Sequence, residues 1–382
     1  MGKRVRAGLI GCGSVSQVGV LPQLAEPDAR ERIELVAVCD VVEERARGVA
    51  RQYGIADAYA DAQRMIDRDD IDLILVITPI AHHYPNALTA LRAGKHVYVQ
   101  KTMTETYAQA KQLVAEADAR ELTLTAAPGQ MLAPAMRAMK ALVERDGLGT
   151  VYWAWGSTPG WHHENERARL GDDIVRSADP SWYYSPSGGP LRDVTVYVLH
   201  SLTGIFGPAR RVAAMSGIRM PERRWRDKTI PVEIDDNTLL LLDFGDARFA
   251  LAGGHSGRAG DLVQWGAMGV YGTDGFVETL EIEPLSGHPT KLRIDAGELP
   301  DGLVAAGDGV YAPADWLPGV SPAHAAIPEP HVYADLLHTV ECIESGAPPV
   351  ASGAHAAHVI EIIERGYEAA RTGVTQPLES RF

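Results

Sequence analysis

Short apolar runs alternate with segments of helical spacing over the first 125 residues. Val5–Ile10 (VRAGLI), Ile33–Cys39 (IELVAVC) and Ile71–Ile77 (IDLILVI) read as buried strands, and His96–Val99 and Leu122–Thr125 continue the series. Between them, Val41–Tyr53, Ala60–Asp67, Pro85–Ala93 and Tyr107–Arg120 repeat apolar positions at helical spacing. Strands separated by helices of this length predict βαβ units and a doubly wound parallel sheet of Rossmann type. Asp57–Asp61 and Gly94–Lys95 read as turns between units.

After Pro128 the pattern changes. A helix at Ala133–Glu144 and a longer strand at Val151–Gly156 precede an irregular stretch, Ser157–Pro190, rich in Trp, His, Gly and Pro. Asn237–Asp243, Ala247–Gly253, Trp265–Gly272 and Gly275–Leu280 then read as strands joined by short turns such as Phe244-Gly245-Asp246, which predicts an antiparallel sheet. Asp295–Pro330 is a Gly/Pro-rich loop, and helices at His331–Ser345 and Gly353–Thr372 close the chain. We expect two domains: a dinucleotide-binding Rossmann domain over 1–128, and a second α/β domain over 129–382 with an open, mainly antiparallel sheet. The last helices are candidates to pack back on the first domain.

Composition narrows the function classes. The net charge of −14 argues against nucleic acid or an anionic membrane as partner. Three cysteines, Cys12, Cys39 and Cys342, form no disulfide framework, which implies a reducing compartment. The first residues show no targeting signal, and no apolar run approaches a membrane span, so a cytoplasmic location is expected. Thirteen histidines are present, yet none of the pairs His82-His83, His162-His163 and His355/His358 joins a Cys or carboxylate at zinc-site spacing, so no metal is expected.

The first strand runs into Gly11-Cys12-Gly13-Ser14-Val15-Ser16. Gly11 permits the tight turn, Gly13 lets the backbone approach a pyrophosphate, and the amides at Ser14 and Val15 open a helix whose N-terminus holds phosphate. Ser16 replaces the third glycine and is small enough for close packing. The second strand ends on Asp40, 27 residues after Gly13, where a carboxylate accepts hydrogen bonds from the adenosine ribose. Neither Val41 nor Val42 can hold a 2′-phosphate, so NAD is favoured over NADP. The extra spacing fits an insertion around Glu26–Arg32. The carboxyl ends of strands line the ligand crevice of such a sheet, which puts Thr78-Pro79 and Lys101 at the site.

The set GCGSVS, VAVCD, TP…HH, AGKHVYVQK and Gly188-Gly189-Pro190-Leu191-Arg192-Asp193 resembles the glucose–fructose oxidoreductase / inositol dehydrogenase (Gfo/Idh/MocA) family over essentially the whole chain. The resemblance implies a Rossmann domain followed by an α/β domain on an open antiparallel sheet. It also implies hydride transfer to or from a carbinol or carbonyl carbon of a sugar, polyol or glycoside. The ligand crevice would lie between the two halves, and assembly as a homodimer or homotetramer would use the exposed sheet face.

The family's Glu-Lys-Pro matches Gln100-Lys101-Thr102, with the cofactor- and substrate-contacting lysine kept as Lys101. Gln100 in place of Glu removes an anion that would hold this lysine charged. The family's His after Thr-Pro matches His83, while its Asn is Ile80. Gln130 occupies a position that often contacts nicotinamide. The family's Asp and His four residues apart become Asp193 and Tyr197, which on a continuous helix would share one face. Asp193 would orient or deprotonate the reacting hydroxyl and Tyr197 would take its proton with Lys101 nearby, with His200 in reserve. Trp161, His162, His163 and Tyr183 are candidates for binding a saccharide, by ring stacking and imidazole hydrogen bonds. Two other functions stay open: a glycoside-cleaving or epimerising enzyme that uses tightly bound NAD transiently, and a catalytically silent dinucleotide-binding protein.

Overall fold

The computed structural model describes residues 4–159, 162–165, 169–171, 179–257, 266–282 and 288–382. They form two units, one comprising Met1–Pro128, His163–Trp182 and Gly319–Ala357, the other Gly129–His162, Tyr183–Pro318 and His358–Phe382.

The first unit is built on six parallel strands: β1 (Val5–Ile10), β2 (Ile33–Cys39), β3 (Asp57–Tyr59), β4 (Leu73–Val76), β5 (His96–Val99) and β6 (Leu124–Ala126), in the order β3-β2-β1-β4-β5-β6. β1, β2 and β5 coincide with the apolar runs read from the sequence. Asp57–Asp61 is not merely a turn, because Asp57–Tyr59 pairs with Ala37–Cys39 as a sheet edge. Its half-buried, mixed residues give no apolar run to read. The order reverses between β1 and β4, and the chain leaves these strands at Gly11 and Thr78. The core under β1 includes Leu9, Val20, Leu21 and Leu24, and Val332, Leu336 and Val340 from the helix Pro330–Ser345 join it. The segment Glu26–Arg32 contains the short helix Pro27–Arg32, begun by a proline at its first position.

Among the described residues the large sheet of the second unit has ten strands. They are β7 (Val151–Pro159), β8 (Arg211–Gly217), β11 (Asn237–Gly245), β12 (Arg248–His255), β13 (Ala267–Gly272), β14 (Phe276–Ile282), β15 (Pro289–Asp295), β16 (Leu303–Gly307), β17 (Val310–Pro313) and β18 (Gln376–Pro377). Their order is β16-β17-β15-β14-β13-β7-β12-β11-β8-β18, antiparallel except for the parallel pair β7–β12. A separate hairpin pairs β9 (Glu222–Trp225) with β10 (Lys228–Pro231). The stretch Asp295–Pro330, read as loop, contains the β16–β17 hairpin, whose alanines and glycines gave no alternation to detect.

The inner face of this sheet carries Val212, Leu240, Leu242, Ala250, Ala252 and Val270, all buried. The outer face carries Met215, Leu239, Leu241, Phe249, Leu251 and Trp153, all exposed and adjacent in register. Trp153 stacks on Tyr271 with centroids 5.3 Å apart.

Candidate active site

The glycine turn is fixed by backbone geometry that only glycine accommodates at its first position. Gly11 has φ +98°, and a Cβ there would lie 2.2 Å from the Ile77 carbonyl oxygen. At Gly13 a Cβ would meet nothing within 4 Å, so the backbone there faces open space. Ser16 is fully buried and its hydroxyl donates to the Gly11 carbonyl at 2.5 Å, which closes the turn from below. Gly13, Ser14 and Val15 stay partly exposed. Ser16–Val20 is a turn of π-helix that continues into Leu21–Ala25.

Asp40 is buried beside this turn. Its Oδ2 accepts from the Cys12 amide at 2.9 Å, and Oδ1 accepts from the Val42 amide at 2.9 Å and from Arg45 Nη1 at 3.1 Å. The Arg45 contact was not foreseen: Arg45 lies five residues on, past the two valines, and reaches back from the first turn of the helix Glu43–Tyr53. Burial pushes the Cys12 and Cys39 thiols up, Cys39 to about 12, which suits packing residues and not nucleophiles. All three cysteines are free.

Lys101 follows β5, and the Lys101–Thr102 peptide is cis. The buried Gln100 side chain turns back: its Oε1 accepts from the Lys101 amide at 3.0 Å and its Nε2 donates to Tyr98 Oη at 3.4 Å. It thus supports Lys101 and does not reach outward as a cofactor ligand. His83 also departs from its expected role. It is fully buried, with Nδ1 2.8 Å from the Thr102 carbonyl and Nε2 2.6 Å from the Thr78 carbonyl. Both ring nitrogens are engaged, so no polar atom is left for a cofactor. Thr78 Oγ1, at the end of β4, is a buried hydroxyl with no hydrogen-bond partner among the described residues, and Pro79 beside it is exposed.

In the second unit, Gln130 is buried, with Oε1 accepting from Ser201 Oγ at 3.4 Å and Nε2 without a partner. Asp193 and Tyr197 do not sit on one uninterrupted helix. Asp193 ends the short helix Pro190–Asp193, Val194 breaks it at φ −120°, and the helix Thr195–Phe206 carries Tyr197 and His200. All three are buried. His200 is pushed down to about 3 by burial, with His358 adding to the effect, so it is a neutral interior histidine.

Tyr183 is 0% exposed and edge-on to Tyr184, so it offers no face to a saccharide; burial, with Asp193 next, pushes its phenol up. Aromatic content in an irregular segment looks the same in sequence whether it packs or binds a saccharide. His162 faces Arg223, whose Nη1 lies 3.1 Å from His162 Nδ1; this buried Arg223 also approaches Asp236 at 3.5 Å. In the first unit His163 packs against Trp182 at 5.9 Å. Trp161 lies outside the described residues. Among the described residues no group of three His, Cys, Asp or Glu is arranged to hold a metal ion, and no helix is long and apolar enough to cross a membrane.

The first unit therefore groups three features at the carboxyl ends of adjacent strands. They are open backbone at Gly13, a carboxylate oriented by the turn's own amide, and the orphan Thr78 hydroxyl.

Comparison with known proteins agrees. Residues 5–127 match the family model described as "Oxidoreductase family, NAD-binding Rossmann fold", and 136–278 match the "GFO/IDH/MocA C-terminal domain". D-apiose dehydrogenase of Paraburkholderia graminis is 24% identical over 99% of this chain and 91% of its own. D-xylose 1-dehydrogenase (NADP(+)) of Hypocrea jecorina is 26% identical over 62% of this chain and 61% of its own. Matched regions cover 57% to 64% of the length of four of the curated relatives. Among solved structures, levoglucosan dehydrogenase in complex with NADH and L-sorbose has a TM-score of 0.78 at 20% identity, covering 99% of this chain and 100% of that one.

Proposed function

Because the chain belongs to the Gfo/Idh/MocA oxidoreductase family, we propose that it is a dehydrogenase that oxidises a carbinol of a sugar, polyol or glycoside with NAD. The observation that carries the reading is the tie between the glycine turn and Asp40, through the Cys12 amide at 2.9 Å. It fixes a carboxylate next to the open backbone at Gly13, an arrangement that would suit the ribose and pyrophosphate of a dinucleotide. Relatives named for apiose and xylose support a carbohydrate substrate.

Asp40 would hold the adenosine ribose, the amides of Gly13 to Val15 the pyrophosphate, and Thr78 a further polar group of the dinucleotide. When bound, nicotinamide takes up the hydride that leaves the carbinol carbon. Lys101 would bind the reacting oxygen, drawing electron density from its O–H bond. Asp193 would orient this hydroxyl and accept its proton, with Tyr197 as the alternative acceptor; the carbonyl forms as the proton and hydride depart. The weak basicity of His200, pushed down to about 3 by burial, argues for leaving it out of proton transfer.

Reduction of NAD, followed at 340 nm over a panel of sugars, inositols and glycosides with NADP in parallel, tests the reading. A substrate-dependent rise with the wild type, lost by about a hundredfold or more in Lys101→Ala, is the expected result. No rise with any compound, or full activity in Lys101→Ala, would contradict it. We also propose that two chains pair through the exposed outer sheet face, where six large apolar side chains lie together in solvent.

A further inference from the structure

Gly11 and Asp40 stand at the carboxyl ends of β1 and β2, and a second concavity of the first unit lies at the amino ends of the same strands. It encloses about 310 Å³, enough for one small organic molecule. The topology leaves it open. β3 pairs only with Ala37–Cys39, so among the described residues Ile33–Val36 of β2 has no strand beside it on that edge. The connection through Tyr53 to Ala56 passes round the gap. Leu21 and Leu24 of the helix Leu21–Ala25, with Ile33, Leu35 and Ile55, give the cavity an apolar floor.

The rim is basic. Arg4, Arg6, Arg30 and Arg68 line it, and Glu34 is the one carboxylate among the described lining residues. Two of the arginines are committed: Arg6 lies 3.0 Å from Glu34 and 2.6 Å from Asp70, and Arg68 lies 2.8 Å from Asp70 and 2.5 Å from Asp57. Arg4 is only 3.6 Å from the Glu34 oxygen that Arg6 already holds. Arg30 meets no carboxylate among the described residues, and its carbonyl accepts from Arg4 Nη1 at 3.5 Å, so the two stand side by side. Four guanidinium groups against three carboxylates leave an excess of positive charge here, in a chain whose net charge is −14. A guanidinium fork matches the oxygens of a carboxylate or a phosphate.

We infer that this cavity is a binding site for a small amphipathic anion, its apolar body on the floor and its carboxylate or phosphate head between Arg4 and Arg30. Burial of the body and charge-assisted hydrogen bonds to the head act together, so neither half of the ligand binds as well alone. The inference goes beyond the dehydrogenase reading and does not depend on it.

The test is calorimetric titration of the full chain with octanoate and octyl phosphate, and with octanol, which has the same apolar body without the charge. Both anions are expected to bind one per chain, and octanol at least about tenfold more weakly. Arg4→Gln combined with Arg30→Gln should weaken both anions at least about tenfold and leave octanol unchanged. Ala56→Trp, at the exposed lip of the cavity, should abolish binding by filling it. Thermal melting of each variant shows that it is folded. Tighter binding of octyl phosphate would assign a phosphate head, and tighter binding of octanoate a carboxylate. No one-to-one binding of either anion, equal affinity for octanol, or wild-type affinity in the double variant would overturn the inference, leaving arginines that only guard an open strand edge.

Discussion

His83 Nδ1 lies 2.8 Å from the carbonyl oxygen of Thr102, the residue after Lys101. The other ring nitrogen meets Thr78 at 2.6 Å, so one buried imidazole ties the end of β4 to the segment that presents the lysine. A neutral ring donates to one of these carbonyls, so replacing it with Ala leaves a buried carbonyl without its donor and a void where the ring stood. His83→Ala should lose about 2 to 4 kcal/mol of stability. It should also lower kcat about tenfold or more by loosening Lys101, with nucleotide affinity changed less. Denaturant unfolding and steady-state kinetics check both, and His83→Gln, which keeps one hydrogen-bonding arm, should recover part of each loss.

The two glycines of the turn make opposite demands. Gly11→Ala places a methyl 2.2 Å from the Ile77 carbonyl at positive φ, so it should lower Tm or prevent folding. Gly13→Ala meets no protein atom, so its Tm should stay near the wild type while NADH affinity falls by about tenfold or more, because the methyl occupies the space a pyrophosphate needs. Parallel melting curves and NADH titrations separate the two effects. A Gly13→Ala protein that binds NADH normally would count against the proposed pyrophosphate site.

Three interior histidines give stability a defined pH dependence. Burial pushes His83 and His358 down to about 4 and His200 to about 3. His358 is held neutral by geometry as well: Nε2 accepts from the Ala209 amide at 3.0 Å, so the proton sits on Nδ1, facing Ser380 Oγ at 2.7 Å. Above pH 6.5 these rings are neutral in folded and unfolded chains alike, and they impose no penalty. As pH falls from 6.5 toward 4 the unfolded chain takes up protons that the fold refuses. Each ring then removes about 1.4 kcal/mol of stability per pH unit. Unfolding free energy measured from pH 7.5 to 4.5 should drop across this window, and His358→Gln should flatten the slope.

Met215, Leu239, Leu241, Leu251, Phe249 and Trp153 lie on one face of neighbouring strands and are all exposed. Leu241→Glu combined with Phe249→Glu should give a folded monomer where the wild type is a dimer or larger, as read by size exclusion with light scattering. A monomeric wild type would remove the proposal.

The first sheet was legible because its strands are buried on both faces and read as continuous apolar runs, from VRAGLI to HVYV. Asp57–Tyr59 and the β16–β17 hairpin escaped because edge strands of mixed or small residues carry no such run. Sequence spacing singled out Gly11, Gly13, Asp40 and Lys101, whose positions are set by strand ends. It missed Arg45, which acts by reaching back across a turn. It assigned outward roles to His83, Gln100 and Tyr183 because residue type does not reveal whether a polar group serves a ligand or the backbone. It also assumed a continuous helix from Asp193 to Tyr197, whereas Val194 interrupts it.

The central claim is that a hydride moves from a carbinol carbon to nicotinamide at this site. A substrate found in the sugar and polyol panel, labelled with deuterium at the oxidised carbon, tests it most directly through mass analysis of the nicotinamide after one turnover. The account predicts one deuterium carried on the reduced cofactor, and none with Lys101→Ala over the same interval. Consumption of the substrate with all deuterium kept on carbon or released to water, and none on nicotinamide, would contradict it.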